Sequence, residues 1–388
     1  MQKTFKILCC DHIGLCLDQA GQPDPSEVKA HIEAKGGVFH RGVGPQGVAD
    51  DGALHFFYLP DLSVRDEILE LTDGGQFDAV IAAATFIPPD SVFASGGVRI
   101  GAGTGNMGSH SWGGPNGIGG VAPLMNTPGF NARATAQMAF KALLHFRPSL
   151  PLATLHERVV AGTFDTGKSL KDFPTAKLEG QRIAIIGYGN IGGAVARLAA
   201  AFGMKVHVAA RAAHHARIED GGFIAFSAPQ HAARGADVIS IHTGLGALNQ
   251  STGRAANAGL IGPDILSVLN IGATVLNFDR GECVDAPALD QAMATGRVAH
   301  AAIDADIFKG ADGALHGPMV PYLPLAAKYP GRLLLLPHAA ADTDHPSRVA
   351  GAKQAVDQIF DAILHQRVTN LKGDLPPGYG NAGSKSGI

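Results

Sequence analysis

The stretch "RIAIIGYGNIGGAVARLAAAFG", residues 182–203, has the pattern of a buried strand, a glycine turn and an amphipathic helix. Gly187 permits a tight turn, Gly189 lets the backbone approach a pyrophosphate, and Gly192 lets the helix pack on the strand. A second apolar strand, "KVHVAA", follows at residues 205–210. Because the glycines lie between a strand and a helix, and a strand follows, the pattern predicts a dinucleotide-binding α/β unit.

Residues beside this turn extend the cofactor prediction. Asn190 and Ile191 open the helix, whose N-terminal amides and dipole favour phosphate groups. The second strand ends at Ala210, where NAD-binding proteins usually carry an acidic residue for the ribose hydroxyls, and Arg211 follows. A guanidinium there suits the 2′-phosphate of NADP(H), with NAD(H) as the alternative if Arg211 only stacks on the adenine. Thr243, after a later strand, is a further expected cofactor contact.

Length, charge and cysteine content limit the classes to which the protein can belong. The 388 residues suffice for two domains. The net charge of −3 argues against a general nucleic-acid-binding protein, since such proteins carry a basic surplus. The four cysteines have the spacing of neither a zinc site nor a disulfide scaffold, so we expect reduced thiols, a cytoplasmic location and no metal. The apolar run near the N-terminus is too short for a signal peptide or a membrane span, and we expect no membrane partner.

Apolar runs along the chain predict two parallel sheets. Their apolar residues are continuous rather than alternating, as in strands that are covered on both faces. Helical patterns lie between them, which favours an α/β fold. The predicted strands are 6–10, 53–59, 78–84 and 98–103 in the first part of the chain, and 182–187, 205–210, 237–242, 274–278, 300–304 and 333–337 in the second.

Three segments are less regular. Within the glycine-rich stretch 95–120, "GAGTGNMG" is either a turn whose amides approach an anion or a simple loop, and "SHSWGGPNGIGG" is predicted to be a flexible surface loop. The polar stretch 157–181 is expected to be a surface connection between domains. The tail 372–388, rich in Gly, Pro and Ser, is expected to be disordered or extended.

Two reactive side chains follow predicted strands of the second domain. Arg280 follows the strand that ends at Phe278, and His338 follows the strand that ends at Pro337. In a parallel sheet both lie at the carboxyl edge, together with the glycine turn. Arg suits a carboxylate through bidentate hydrogen bonds, and His can exchange the proton of a hydroxyl group while hydride moves at carbon. These groups are the minimal set for interconverting a 2-hydroxy acid and a 2-oxo acid.

The chain resembles the D-isomer-specific 2-hydroxyacid dehydrogenases, most closely the D-3-phosphoglycerate dehydrogenase branch. The resemblance runs through "DAVIAAAT", "IGAGTGN", "MNTPGFNARATAQMA", "AIIGYGNIG", "DVISIH", "VLNFDRGECVDAPALDQAMATGRVAHAAID" and "LLPHAAADT". It implies two Rossmann- or flavodoxin-like domains with an active-site cleft between them, and commonly a homodimer. The substrate domain would comprise 1–150 and 348–388, and the dinucleotide-binding domain 151–347. Arg280 would bind substrate, His338 would be the acid–base, and Asp304 would lie near the nicotinamide carboxamide.

Several positions depart from the family pattern. Lys309 stands where the family has a Glu that pairs with the catalytic His, and Asp306 is the nearest substitute as its partner. Ala83 and Ala84 stand where phosphoglycerate dehydrogenases have an Arg-Ser pair, which argues against 3-phosphoglycerate as substrate. Asp279, directly before the substrate-binding Arg, is expected to neutralise that Arg in part.

The remaining substrate contacts and the alternatives complete the hypothesis. Thr104, Gly105 and Asn106 are expected to present amides to the substrate carboxylate. The favoured function is an NADP(H)-dependent dehydrogenase or reductase of small 2-hydroxy and 2-oxo acids. One alternative is a dinucleotide-sensing regulator or scaffold on the same fold with little turnover. Another is an enzyme that oxidises a different small anion, since Ala83 and Ala84 would leave more room in the substrate pocket.

Overall fold

The computed structural model describes residues 3–11, 13, 16–42, 44–48, 50–60, 62, 65–247, 249, 251–310, 313–338 and 344–385. The chain divides into two compact units, Met1–Asn131 with Asp342–Ile388, and Ala132–Ala341. Each unit is built around one seven-stranded sheet. The predicted α/β fold with two parallel-sheet domains is therefore confirmed.

The strands are short and mostly buried. In chain order they are β1 (Phe5–Cys10), β2 (Val38–Arg41), β3 (Leu54–Leu59), β4 (Ala79–Ala82), β5 (Gly96–Arg99), β6 (Leu124–Asn126), β7 (Arg182–Ile186), β8 (Lys205–Ala209), β9 (Ile224–Phe226), β10 (Val238–Ile241), β11 (Ala273–Asn277), β12 (Val298–Asp304), β13 (Phe308–Lys309), β14 (Leu315–His316), β15 (Leu333–Leu336), β16 (Arg367–Val368), β17 (Leu371–Lys372) and β18 (Gly380–Asn381).

The helices alternate with these strands. In chain order they are α1 (Ser26–Ala34), α2 (Arg65–Thr72), α3 (Ala132–His145), α4 (Leu152–Val160), α5 (Thr166–Ser169), α6 (Asn190–Ala201), α7 (His215–Asp220), α8 (Pro229–Ala233), α9 (Pro263–Leu266), α10 (Ala286–Ala294), α11 (Leu323–Lys328) and α12 (His345–His365). None of the helices in the described ranges is long and apolar enough to cross a lipid bilayer.

The sheet of the first unit has the order β17-β6-β5-β4-β1-β3-β2. All its neighbours pair in parallel except β17, which pairs antiparallel with β6. Helix α12 buries Val349, Ala352, Val356 and Ile359 in the core that covers one face of this sheet. The first unit is thus assembled from two segments that are far apart in the chain.

The sheet of the second unit has the order β15-β12-β11-β10-β7-β8-β9, and every pair is parallel. Two apolar clusters cover its faces, which accounts for the continuous apolar strands. Asp285 accepts a hydrogen bond from the Ala288 amide (2.8 Å) and so caps α10, as its position before Ala286 predicts.

The boundary between the units lies earlier in the chain than the predicted boundary at 150 and 151. Helix α3 packs on α6 and β11, so it belongs with the second unit. The second segment of the first unit begins at Asp342, before the predicted boundary at 348. Its helix α12 begins at His345, where Asp344 caps it by accepting from the Ser347 amide (3.1 Å).

The structure bears on the three segments that were expected to be irregular, and two of those expectations need correction. The predicted flexible loop at 109–120 contains the buried Trp112, whose ring stacks on Phe93 and whose Nε1 donates to the Met107 carbonyl oxygen (2.9 Å). The predicted connection at 157–181 contains the end of α4 and all of α5. Of the two alternatives given for the tail, the extended one fits its described part, where β17 and β18 pair with β6 and β16.

Candidate active site

The glycine turn after β7 has the close contacts that its sequence predicts. Gly187 has φ +100°, and a Cβ there would lie 2.2 Å from the His242 carbonyl oxygen. A Cβ on Gly192 would lie 2.1 Å from the Gly187 carbonyl oxygen. A Cβ on Gly189 would meet nothing within 4 Å, so this face of the turn is open. The turn is therefore tightly packed at Gly187 and Gly192, and its backbone at Gly189 is accessible to a ligand.

A cavity of about 790 Å³ lies over this turn. It is lined by Gly187, Gly189, Asn190, Arg211, His214, Arg217, Thr243 and Asn257, among others. Arg211 follows β8, and its Nη2 lies 3.5 Å from Nε2 of His214. The guanidinium of Arg217 stacks over the Tyr188 ring at 5.1 Å. Basic side chains thus gather where the adenosine end of a dinucleotide would lie, and the residues present fit such a cofactor.

Arg280 lies just beyond the carboxyl end of β11. The Asn277 side chain donates to its carbonyl oxygen (2.9 Å), which fixes the turn that carries it. Its Nη1 donates to the Asp306 carboxylate (3.2 Å), and its side chain is 34% exposed. The guanidinium has five N–H donors, so Asp306 leaves several of them available for a substrate carboxylate.

His338 lies just beyond the carboxyl end of β15, in a left-handed conformation with φ +54°. Its Nδ1 lies 3.3 Å from the Asp304 carbonyl oxygen and 3.4 Å from Oδ2 of the same residue. Because both neighbours are acceptors, Nδ1 carries a proton and Nε2 remains for chemistry. Positions 339–343, which complete the "PHAAADT" motif, lie outside the described residues.

The carboxylate next to His338 is that of Asp304, whereas Asp306 was expected there. Sheet register explains the difference, because Asp304 pairs with Leu336, two residues before His338. Burial acts to lower the pKa of His338, but the hydrogen bond to Asp304 and the charges of Asp306 and Asp304 outweigh burial and the Arg280 charge. The pKa of His338 is therefore raised above its ordinary value.

Asp304 also carries an unpaired acceptor. Its side chain is 2% exposed, and its Oδ1 has no hydrogen-bond partner among the described residues. Buried carboxylate oxygens are normally paired. An amide N–H₂ group, such as the nicotinamide carboxamide, has the donor that this oxygen lacks, which agrees with the position expected for Asp304.

Asp279 links the turn that carries Arg280 to the loop after β10. Its carboxylate accepts from the Gly244 amide, beside Thr243. Burial raises the pKa of the Asp279 carboxyl, while the Gly244 amide and the charges of Arg280 and His338 oppose that rise. Thr243 accepts from the Asn257 side chain at 3.4 Å. Arg280 forms its ion pair with Asp306. Asp279, which was expected to neutralise Arg280 in part, therefore acts on it only through its charge.

The substrate residues predicted in the first unit lie on the loop after β5. Asn106 donates through Nδ2 to the carbonyl oxygens of Ala83 (3.1 Å) and Thr85 (2.8 Å), so its side chain braces the loop after β4. Thr104 donates through Oγ1 to the Pro115 carbonyl oxygen (3.3 Å). Gly105 is exposed. The roles of these residues toward substrate stay predictions.

Sequence reasoning missed Asp11, which follows β1. Its carboxylate accepts three backbone amides of the loop after β4. Its one signal is its position at the end of a central strand. No group of three His, Cys, Asp or Glu side chains in the described ranges could hold a metal ion.

Comparison with protein families gives one assignment. Residues 145–340, half of the chain, match the model of the D-isomer specific 2-hydroxyacid dehydrogenase, NAD binding domain. A putative 2-hydroxyacid dehydrogenase of Haemophilus influenzae is 29% identical over 198 residues, which cover 50% of this chain and 56% of that protein. A glyoxylate reductase of Aeropyrum pernix is 29% identical over 267 residues, covering 66% and 69%. A D-3-phosphoglycerate dehydrogenase of Bacillus subtilis is 26% identical over 181 residues, covering 47% and 32%. The chain thus matches about half the length of the first relative.

Solved structures share the fold over nearly the whole chain. A putative D-isomer specific 2-hydroxyacid dehydrogenase of Polaromonas has a TM-score of 0.62 at 17% identity, covering 96% of this chain and 98% of that one. An NADPH-dependent glyoxylate/hydroxypyruvate reductase of Sinorhizobium meliloti has a TM-score of 0.61 at 18% identity, covering 97% and 99%. At these identities the likeness concerns the fold alone. The family match confirms the resemblance drawn from the motifs: the chain belongs to the D-isomer-specific 2-hydroxyacid dehydrogenase family, and residues 145–340 are its NAD-binding domain.

Proposed function

We propose that the protein is a nicotinamide-dependent oxidoreductase that interconverts small 2-hydroxy and 2-oxo acids, with NADP(H) as its preferred cofactor. The observation that carries this proposal is that Arg280 and His338 lie at the same edge of one sheet. Both follow strands of one parallel sheet at its carboxyl edge, and each contacts an acidic residue at or just after the end of β12. A carboxylate-binding group and a proton-exchanging group are thus available at the edge where such sheets bind ligands.

In this proposal Arg280 binds the substrate carboxylate and polarises the adjacent carbonyl group. Its contact with Asp306 orients the guanidinium and keeps one N–H occupied. His338 donates a proton from Nε2 to the carbonyl oxygen during reduction and takes it back during oxidation. Asp304 holds the Nδ1–H tautomer and favours the protonated ring. When bound, the nicotinamide ring supplies or accepts the hydride.

The preference for NADP(H) is supported by the basic side chains around the end of β8. Ala210 cannot bond the ribose hydroxyls as a carboxylate would, and it does not repel a 2′-phosphate. Arg211, His214 and Arg217 line the same cavity and supply positive or protonatable groups. The Gly189 backbone and the N-terminus of α6 would hold the pyrophosphate.

Turnover of a panel of 2-oxo acids with NADPH and NADH tests the proposal. We expect reduction of at least one acid, with a raised KM for Arg280→Ala because that variant loses the carboxylate partner. Arg234→Ala, which removes an exposed guanidinium of the same unit, is the control and should match the wild type. If the wild type and Arg280→Ala are equally inactive with both cofactors, the oxidoreductase proposal fails, and a dinucleotide-sensing role gains support.

A homodimer is the further part of the proposal. Helix α4 buries none of its side chains within the chain, and Leu152, Val159 and Val160 are 76%, 62% and 74% exposed. So many exposed apolar residues on one helix favour a protein partner, and the family resemblance favours a second copy of this chain. Light scattering of the wild type should give twice the chain mass, and Leu152→Asp with Val160→Asp should give the monomer. A monomeric wild type would contradict this.

A further inference from the structure

The loops after β10 and β11 lie side by side at the carboxyl edge of the second sheet. Strands β10 and β11 are neighbours, and Ile241 pairs with Asn277 at their ends. Two residues after these positions stand Thr243, which lines the cavity over the glycine turn, and Asp279, which directly precedes Arg280. The loop expected to contact the cofactor is therefore next to the turn that carries the proposed carboxylate-binding residue.

The Asp279 carboxylate binds the backbone of the neighbouring loop. The amide of Gly244, the residue after Thr243, donates to this carboxylate. Nδ2 of Asn257 donates to the Gly244 carbonyl oxygen (2.8 Å) and to Oγ1 of Thr243 (3.4 Å). Both polar backbone groups of Gly244 are thus bonded, and the amide is bonded to Asp279. The position of Thr243 therefore depends on the Asp279 side chain.

The turn that carries Arg280 is connected to Asp279 through backbone contacts. The Asp279 amide donates to Oδ1 of Asn277 (3.3 Å), and Nδ2 of Asn277 donates to the Arg280 carbonyl oxygen (2.9 Å). The Cys283 amide donates to the same carbonyl oxygen (3.0 Å). Because these bonds close a short turn, a displacement of Asp279 also displaces the backbone of Arg280. The Asp279 side chain thus joins the two loops through a continuous series of hydrogen bonds.

A purely neutralising role for Asp279 does not account for this geometry. The ion pair of Arg280 is made with Asp306 (3.2 Å), whereas the hydrogen bond of Asp279 is made with the Gly244 amide. Hydrogen bonds that a carboxylate accepts from backbone amides are stronger than those between neutral groups. Burial raises the pKa of the Asp279 carboxyl, and the Gly244 hydrogen bond opposes that rise because it stabilises the ionised form.

We propose that Asp279 is a positioning residue that couples cofactor binding to substrate binding. The inference rests on the proposed function, since it requires the cofactor at Thr243 and the substrate carboxylate at Arg280. A dinucleotide that contacts Thr243 restrains the loop after β10, and Asp279 transmits this restraint to the turn of Arg280. Less ordering then remains to be done when the carboxylate binds. Coupling of this kind is reciprocal, so the substrate strengthens cofactor binding by the same factor.

The test uses two ligands that do not touch each other through the nicotinamide ring. Oxamate has a carboxylate next to a carbonyl group, as a 2-oxo acid has. The cofactor fragment is ADP-ribose with the 2′-phosphate, or ADP-ribose itself if NADH is the better cofactor. Because the fragment lacks the nicotinamide ring, coupling between the two ligands has to pass through the protein. Calorimetry measures the Kd of oxamate with and without a saturating concentration of the fragment.

Three variants separate the hydrogen bond from other effects. Asp279→Ala removes the bond to Gly244, whereas Asp279→Asn keeps a side-chain oxygen that can accept it. The matched control is Asp237→Ala. Asp237 directly precedes β10 and accepts from the Arg182 amide (2.8 Å), so it joins neighbouring segments at the opposite edge of the same sheet.

We expect the fragment to strengthen oxamate binding about fivefold or more in the wild type and in Asp237→Ala, and less than about twofold in Asp279→Ala. Asp279→Asn should retain most of the wild-type factor. Absence of coupling in the wild type, or the wild-type factor in Asp279→Ala, would overturn the inference, while turnover of 2-oxo acids would leave the proposed function standing. A protein that neither binds oxamate nor reduces any 2-oxo acid would instead contradict the proposed function.

A second measurement requires neither substrate nor turnover. The cofactor fragment is titrated into the wild type and Asp279→Ala, and the backbone amide resonances of Gly189 and Arg280 are followed by NMR. The Gly189 resonance should shift in both proteins, because it reports the bound pyrophosphate in a folded protein. The Arg280 resonance should shift in the wild type and stay in place in Asp279→Ala. Equal Arg280 shifts in the two proteins, or no Arg280 shift in the wild type, would show that Asp279 does not connect the two loops.

Discussion

Replacing Arg211 by Ser should reduce the preference for NADPH over NADH about tenfold. A hydrogen bond to a charged group contributes about 1.5–3 kcal/mol. Because Arg211 is exposed and screened by solvent, we take the lower end of that range, about 1.5 kcal/mol, which corresponds to about a tenfold change in kcat/KM. His214, 3.5 Å away, can retain part of the phosphate contact in the variant.

The assay is the steady-state kcat/KM for each cofactor at a saturating concentration of one 2-oxo acid. The value for NADPH should fall about tenfold in Arg211→Ser while the value for NADH stays within about twofold, since NADH has no 2′-phosphate. Rising ionic strength should also reduce the wild-type preference, because the contact is exposed. Lys205→Ser removes the same charge at the other end of β8 and should change neither value.

Two results would refute this reasoning. If the wild type prefers NADH, Arg211 does not select the cofactor. If Arg211→Ser lowers both values equally, its guanidinium contacts a part that both cofactors share, such as the adenine.

Three further predictions concern the same unit. Asp304→Asn should move the alkaline limb of the pH profile for reduction to lower pH, since the pKa of His338 loses the largest of the contributions that raise it and the ring loses its proton at lower pH; an unmoved limb would exclude this coupling. Gly192→Ala should weaken dinucleotide binding in calorimetry, because its Cβ would lie 2.1 Å from the Gly187 carbonyl oxygen, and unaltered affinity would mean that the turn can shift. Asp285→Ala should lower the free energy of urea unfolding by about 1 kcal/mol through loss of a helix cap, with wild-type stability as the contrary result.

Sequence patterns predicted those features of the fold and the site that are formed by residues adjacent in the chain. The turn at Gly187, Gly189 and Gly192 could be predicted because its strand, turn and helix are contiguous. The positions of Arg280 and His338 followed from the rule that parallel strands share one carboxyl edge.

Features that depend on sheet register could not be predicted in this way. Asp304 and Asp306 are two residues apart, and only the pairing of β12 with β15 determines which of them faces His338. The contact of Asp11 with the loop at Ala83 spans 72 residues and requires a positive φ that no local motif signals. The glycine-rich stretch around Trp112 was predicted to be a surface loop, because no residue adjacent to Trp112 in sequence indicates that its ring stacks on Phe93.

The divided first unit has a consequence for synthesis of the protein. Strand β1 emerges from the ribosome before the second unit, but the helix that covers its sheet, α12, and the edge strand β17 emerge only after the whole of the second unit. Domains usually fold as units during translation, the N-terminal one first. In this chain, residues 132–341 are contiguous and can complete their own core while the strands of the first unit still lack their covering helix. We expect the apolar side chains of those strands to be accessible to chaperones during that interval.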